Sequence, residues 1–190
     1  KIDREVLDQA SRLKVINTAS TGTDHIDKRA AMERGIQVLS ITTDYGLLDR
    51  FSATAECAWM LLLACTRHFR SATRDVLEGG WNAPQFVGQQ LSDSTLGVLG
   101  VGRLGKMVCR FGQAFRARVL GCDVKSIDEP GVEAVDFDTL LAESDAISIH
   151  IHMLAENYHL FNAETFGKMK RGAVLVNTSR GDLIDETALI

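Results

Sequence analysis

Three glycines and one carboxylate carry the chemistry most legible in this sequence. Gly100, Gly102 and Gly105 stand in the run Gly100-Val-Gly102-Arg-Leu-Gly105, between the apolar Thr95-Leu-Gly-Val-Leu99 and an amphipathic stretch from Lys106 to Phe115. Glycines at that spacing let a strand turn tightly into a helix. The N–H groups of the first helical turn, here those of Arg103, Leu104 and Gly105, can then face an anionic diphosphate with no side chain in the way. Eighteen residues beyond Gly105, Asp123 ends a second apolar run, Arg118-Val-Leu-Gly-Cys122. That is close to the offset of about 20 residues at which a carboxylate meets ribose hydroxyls. The pattern reads as a dinucleotide site that takes NAD. An unliganded tight turn is the plainer alternative for the glycines, and a solvated strand-end acid is the plainer one for Asp123; the strand before and the helix after favour the site. Lys125 near the ribose 2′ position would suit NADP, but the Asp123 carboxylate would repel a 2′-phosphate.

The elements that must hold these residues alternate. Apolar runs at Leu13–Thr18, Gln37–Ser40, Thr95–Leu99, Val119–Asp123, Ala146–Ile151 and Ala173–Asn177 predict strands. Between them, Asp27–Arg34, Thr54–Arg74, Arg103–Phe115, Asp138–Glu143 and Ala163–Lys170 predict helices. This is the βαβ signature of an α/β protein: a Rossmann-like, doubly wound parallel sheet. Val174-Leu-Val176 lacks alternation, as a central strand covered on both faces would, whereas Ile147-Ser-Ile-His-Ile151 alternates like a partly exposed one. The stretch from Asp123 to Asp138 is short for a helix and two turns, so the third crossover reads as a bare loop. A change of role near residue 50 divides the chain into a unit at 1–49 and a second at 50–190.

Composition narrows the function classes. At 45% hydrophobic and 24% charged, the 190 residues suit an ordinary globular chain. A net charge of −4 gives no long-range attraction for nucleic acid or an anionic membrane. The most apolar window, Cys57 to Cys65, is nine residues, against the roughly 20 needed to cross a bilayer, and reads as a buried helix. Cys57, Cys65, Cys109 and Cys122 sit in apolar stretches without metal-type spacing. They read as reduced thiols serving as small core residues in a reducing, cytoplasmic compartment. His150 and His152 share one side of a strand, but no third ligand has suitable spacing, so no metal is expected. Trp59 and Leu61 to Leu63 are core or subunit contact. Glu56 at a helix start favours the helix dipole and reads as structural.

Further segments carry a family likeness. Thr21-Gly-Thr-Asp-His-Ile-Asp27, Thr54-Ala-Glu56 and Asn177-Thr-Ser-Arg-Gly181 followed by Asp185-Glu186 join the glycine run and Asp123 in order and spacing. Together they resemble the D-isomer-specific 2-hydroxyacid dehydrogenases over nearly the whole chain. The resemblance implies that a nicotinamide cofactor lies between a dinucleotide domain and part of a smaller, flavodoxin-like α/β substrate domain. Hydride would pass between nicotinamide and C2 of a small D-2-hydroxy or 2-keto acid. It further implies that Arg180 grips the substrate's carboxylate and carbonyl oxygen, as a guanidinium can where a lysine would do poorly. Thr21 and Gly22 match the loop whose backbone holds the carboxylate. Thr54 matches a position lining the nicotinamide pocket, and His150 and Thr178 fall at the cofactor's rim. A structural ion pair with Asp182 or Asp185 is the plainer role for Arg180.

The family also uses a histidine held by a glutamate, both downstream of the arginine. Asp185 and Glu186 lie too close to Arg180 for that part, and no histidine follows His159. The expectation is a central fragment, truncated at both ends, that binds cofactor better than it turns over. His152 stands where the family usually has proline, which bears on the adenine rim. A homodimer through the cofactor domains is implied, which would cover the long helix. The alternative reading is a catalytically silent NAD-binding or sensing module, corepressor-like, using occupancy to set assembly.

Overall fold

Short parallel strands alternating with helices organise the chain, as the apolar runs require. The computed structural model describes residues 1–41 and 45–190 and divides into two compact units, Lys1–Phe51 and Ser52–Ile190. In the first, helices α1 (Arg4–Gln9), α2 (Lys28–Glu33) and α3 (Tyr45–Leu48) accompany strands β1 (Val15–Thr18) and β2 (Gln37–Ser40). The strands pair in parallel, Val15 opposite Gln37. Leu7, Ile16, Ile26, Ala30, Ala31 and Ile36 form the core. Asp3 and Asp27 cap α1 and α2, each carboxylate accepting the backbone N–H three residues on. The sequence reading contains no counterpart of α1, a short helix nucleated by its cap.

The second unit contains α4 (Ala53–Thr66), α5 (Phe69–Leu77), β3 (Thr95–Leu99), α6 (Arg103–Ala114), β4 (Arg118–Cys122) and β5 (Val132–Ala134). It continues through α7 (Phe137–Glu143), β6 (Ala146–Ile149), α8 (Ala163–Lys168), β7 (Val174–Asn177) and α9 (Glu186–Leu189). Its five strands are all parallel, in the order β5-β4-β3-β6-β7. The chain therefore starts in the middle, winds outward through β4 and β5, then returns to β6 on the other side of β3. Such a reversal opens a crevice beyond the carboxyl ends of β3 and β6, where ligands bind in doubly wound sheets. Leu96, Val98, Val119, Ala146 and Val176 pack with α4 and α6, while Leu99, Leu120, Ile147 and Ile149 pack with α7. The sheet is thus covered on both faces.

Four expectations need correction. The helix read as Thr54–Arg74 is two helices, broken where His68 adopts a left-handed conformation (φ 52°). The returning loop causes this: the Gln89 N–H donates to the Thr66 carbonyl at 2.9 Å, satisfying the end of α4 from outside the helix. The Cys57–Cys65 window is buried along one stripe only, through Ala58, Trp59 and Leu62, while Cys57, Cys65, Met60 and Leu61 are exposed. Strand β6 is buried at every position, and β7, read as central, lies at the sheet's edge and is mostly half-buried. Their order in the sheet, rather than their own residue patterns, sets this. The third crossover lacks a helix, as expected, but carries the edge strand β5, held by Arg118 through Glu133.

Cys109 is buried in the core and Cys122 half-buried, and all four thiols are free. Among the described residues, no helix is long and apolar enough to cross a membrane.

Candidate functional site

Strand β3 ends in a turn that requires glycine at two of its three glycine positions. Gly100 has φ +90°, and a Cβ there would lie 2.8 Å from the His150 carbonyl group. A Cβ at Gly105 would lie 1.9 Å from the Gly100 oxygen, so this glycine lets α6 close against the strand end. Gly102 differs, since a Cβ there would meet nothing within 4 Å. It is the N-cap of α6 and supplies no side-chain acceptor, while the Lys106 N–H already serves the Gly102 carbonyl at 2.9 Å. The space beside Gly102 is therefore open at the positive end of a 12-residue helix. That arrangement suits a phosphate group.

Asp123 completes the turn. One carboxylate oxygen accepts the Val101 N–H at 2.7 Å and the other the Lys125 N–H at 2.9 Å. The group is fixed at the end of β4 beside the glycine turn, and each oxygen keeps acceptor capacity for a diol. The first of these bonds also ties the middle of the glycine turn to the neighbouring strand. Neither bond is deducible from spacing.

On the other side of β3 stands His150, whose backbone N–H donates to the Leu99 carbonyl at 2.7 Å. Burial pushes its imidazole down to about 4, so the ring is neutral at physiological pH. The unfolded chain titrates this ring near its ordinary 6.5 and so binds more protons than the folded one below that pH. Stability should therefore fall as pH drops from about 6.5 to about 4, by about 3 kcal/mol for this ring. Denaturant unfolding between pH 7 and pH 4 reads the slope. It should be shallower in His150→Gln, and equal slopes would show that the ring is not held neutral.

The loop after β7 lies next to the β6 end. The Ser179 hydroxyl donates to the Ile149 carbonyl at 2.8 Å, and the Asn177 side chain folds over its own loop, accepting from the Ser179 N–H and donating to the Arg180 carbonyl. These contacts hold Arg180 at the strand end with an extended backbone and an exposed side chain. The Thr178 hydroxyl is buried and, among the described residues, has no hydrogen-bond partner, as is also true of Ser144 in the interior.

The structure thus brings the glycine turn, Asp123, His150, Thr178 and Arg180 to one edge of one sheet. Thr54 is carried instead by the first turn of α4, where it is exposed. In the same turn the Ser52 hydroxyl donates to Glu56, consistent with a structural part for that acid. Thr21 and Gly22 belong to the first unit. They lie in the loop that leaves the carboxyl end of β1, shaped by the Ser20 hydroxyl donating to the Gly22 carbonyl at 2.6 Å. Ser148 and Ser179 are polar residues of the site that the sequence reading passed over. The period-two pattern of β6 could have paired Ser148 with His150, whereas nothing in the sequence marks the Ser179 bond.

Comparison with known proteins agrees with this geometry. Residues 59–190 match the family described as D-isomer specific 2-hydroxyacid dehydrogenase, NAD binding domain. The whole chain is 40% identical to D-3-phosphoglycerate dehydrogenase of Archaeoglobus fulgidus, covering 36% of that protein. It is 38% identical to hydroxypyruvate reductase of Thermotoga maritima, covering 60% of that one. Among solved structures, Aquifex aeolicus D-lactate dehydrogenase, complexed with NAD and lactic acid, superposes with a TM-score of 0.86 at 34% identity. That superposition covers 100% of this chain and 56% of the other. The chain therefore spans between about a third and three fifths of these relatives. A parallel sheet entered at its middle strand, a glycine turn opening α6 and a family match over most of the sequence agree: the chain belongs to the D-isomer-specific 2-hydroxyacid dehydrogenases.

Proposed function

We propose that the protein is an NAD-dependent oxidoreductase acting on a small D-2-hydroxy acid or its 2-keto form. The observation that carries this is the glycine turn at the head of α6, with open space beside Gly102 and the Asp123 carboxylate fixed next to the turn. A cofactor with a diphosphate and a ribose diol fits both. Bound NAD supplies the hydride acceptor or donor. In this reading the Arg103, Leu104 and Gly105 N–H groups hold the diphosphate, and Asp123 accepts from the adenosine ribose hydroxyls. His150 and Thr178 line the rim, and Thr54 lines the nicotinamide side.

Residues 1–49 form part of a substrate domain, and 50–190 form the NAD domain. The backbone N–H groups of the Thr21–Gly22 loop hold the substrate carboxylate. Arg180 donates to that carboxylate and to the C2 oxygen. When the keto form is reduced, negative charge builds on that oxygen, and a fixed guanidinium stabilises it more than it stabilises the neutral carbonyl.

A homodimer through the NAD domain is part of this reading. Trp59, Met60, Leu63, Phe111 and Phe115 line an apolar groove of about 860 Å³ on α4 and α6, and Met60 is 58% exposed. Sedimentation at twice the mass of the chain would bear it out. A reducing, cytoplasmic setting is proposed on the four free thiols.

The test uses the whole protein. NADH should bind, read by fluorescence, more tightly than NADPH, because Asp123 repels a 2′-phosphate. NADH should be consumed with at least one of glyoxylate, hydroxypyruvate and pyruvate. Tighter NADPH binding would overturn the cofactor. Binding without turnover on a wider panel of 2-keto acids would replace the enzyme by a sensing module.

A further inference from the structure

Ser148 and His150 are alternate residues at the end of β6, and alternate residues of a strand share a face. Ser148 is only 1% exposed, and its Oγ lies 2.8 Å from His150 Nε2. A neutral imidazole has one ring nitrogen that donates and one that accepts. If Nε2 kept the proton and donated to Oγ, the serine hydroxyl hydrogen would need a second acceptor. The structure gives the Ser148 side chain no hydrogen-bond partner other than His150 among the described residues. A buried O–H without an acceptor costs about 1–3 kcal/mol. The opposite arrangement has no such cost: Ser148 donates to a bare Nε2, and the ring proton sits on Nδ1.

We infer that Ser148 is a positioning residue for the dinucleotide: it holds His150 as the Nδ1–H tautomer, so that the ring offers a donor to an acceptor on the nucleoside. The location suits this. The backbone N–H of His150 donates to the Leu99 carbonyl, and its carbonyl group closes the space behind Gly100, so the ring is anchored within one residue of the glycine turn. A ring free to exchange tautomers would present a lone pair part of the time and lose the contact. This inference rests on the reading of the crevice as a dinucleotide site.

Nitrogen NMR of histidine-labelled protein, with no dinucleotide added, tests the tautomer by itself. His150, identified by the signals lost in His150→Gln, should show a protonated, pyrrole-type Nδ1 and a bare, pyridine-type Nε2. Ser148→Ala should shift the ring toward the Nε2–H form and weaken NADH binding about fivefold, the loss of one hydrogen bond of about 1 kcal/mol. Ser148→Thr, which keeps the hydroxyl, should restore both. If its extra methyl prevents folding, Ser148→Cys keeps the volume with a poor donor and should behave like the alanine variant.

A protonated Nε2 in the wild type, or a tautomer unmoved in Ser148→Ala, would overturn the inference. So would an NADH affinity unmoved in Ser148→Ala while the tautomer shifts. An Nδ1–H tautomer in a protein that binds no NADH would instead defeat the proposed function and remove the nucleoside part of the inference with it.

Discussion

Replacing Arg180 by glutamine in the whole protein is expected to lower kcat/KM for the 2-keto acid about a thousandfold, with NADH affinity changed less than about threefold. Glutamine keeps a donor and much of the length but loses the charge and the second arm of the fork. A bidentate, charge-assisted pair with a carboxylate is roughly twice as strong as a neutral bond. In the proposed function the guanidinium also donates to the oxygen on which charge develops, where losing one donor costs a hundredfold to a thousandfold, roughly, in related chemistry. Lysine should recover little, because it is a point charge that cannot span two acceptors.

The fold should lose little from the change. The Arg180 side chain is exposed and its guanidinium donates to the Ser179 carbonyl at 3.0 Å, a bond worth about 1 kcal/mol, while Asn177 and Ser179 hold its loop unaltered. Melting temperatures within a few degrees of one another would show as much. Steady-state kinetics with NADH saturating provide the test, and unaltered turnover would remove Arg180 from the mechanism and restore the ion-pair role weighed for it from sequence.

How much of this was legible depends on how local the cause is. Strands β2 and β3 are found at the bounds that their apolar runs predict, and α6 begins where Gly102 ends the turn, because turn and cap chemistry are written within a few residues. The end of α4 is different. No glycine or proline marks Arg67 or His68, and the helix stops because a loop residue 23 positions onward takes its last carbonyl. Exposure of β6 and β7 was misread for a related reason: a strand's residues state what it can tolerate, while its place in the sheet decides what covers it.

The site divides in the same way. The glycines and Asp123 stand out by spacing, and Arg180 by resemblance. That Asp123 also clamps Val101, that Ser179 ties two strand ends together, and that Thr178 buries a hydroxyl with no partner among the described residues all need three-dimensional neighbours to be seen.

The three glycines, which look equivalent in sequence, should separate cleanly by experiment. Gly102→Val is expected to lower NADH affinity at least about a hundredfold, a loss of roughly 3 kcal/mol, while stability falls by no more than about 1 kcal/mol. Its backbone (φ −76°, ψ −159°) is one that any residue adopts, and a side chain there would point into open space. Valine is a poor N-cap, which accounts for the small stability cost. Its methyl groups would stand where a diphosphate must approach the helix end. Gly105→Ala should differ, because its Cβ would fall 1.9 Å from a backbone oxygen and α6 would have to move off the strand. Stability and NADH binding should then fall together.

Denaturant melts alongside NADH titrations of both variants separate the two cases. A Gly102→Val protein that binds NADH normally would mean that the open space at the head of α6 is not where the diphosphate sits. A Gly105→Ala protein with unchanged stability would mean that the helix is not packed as closely as the geometry requires.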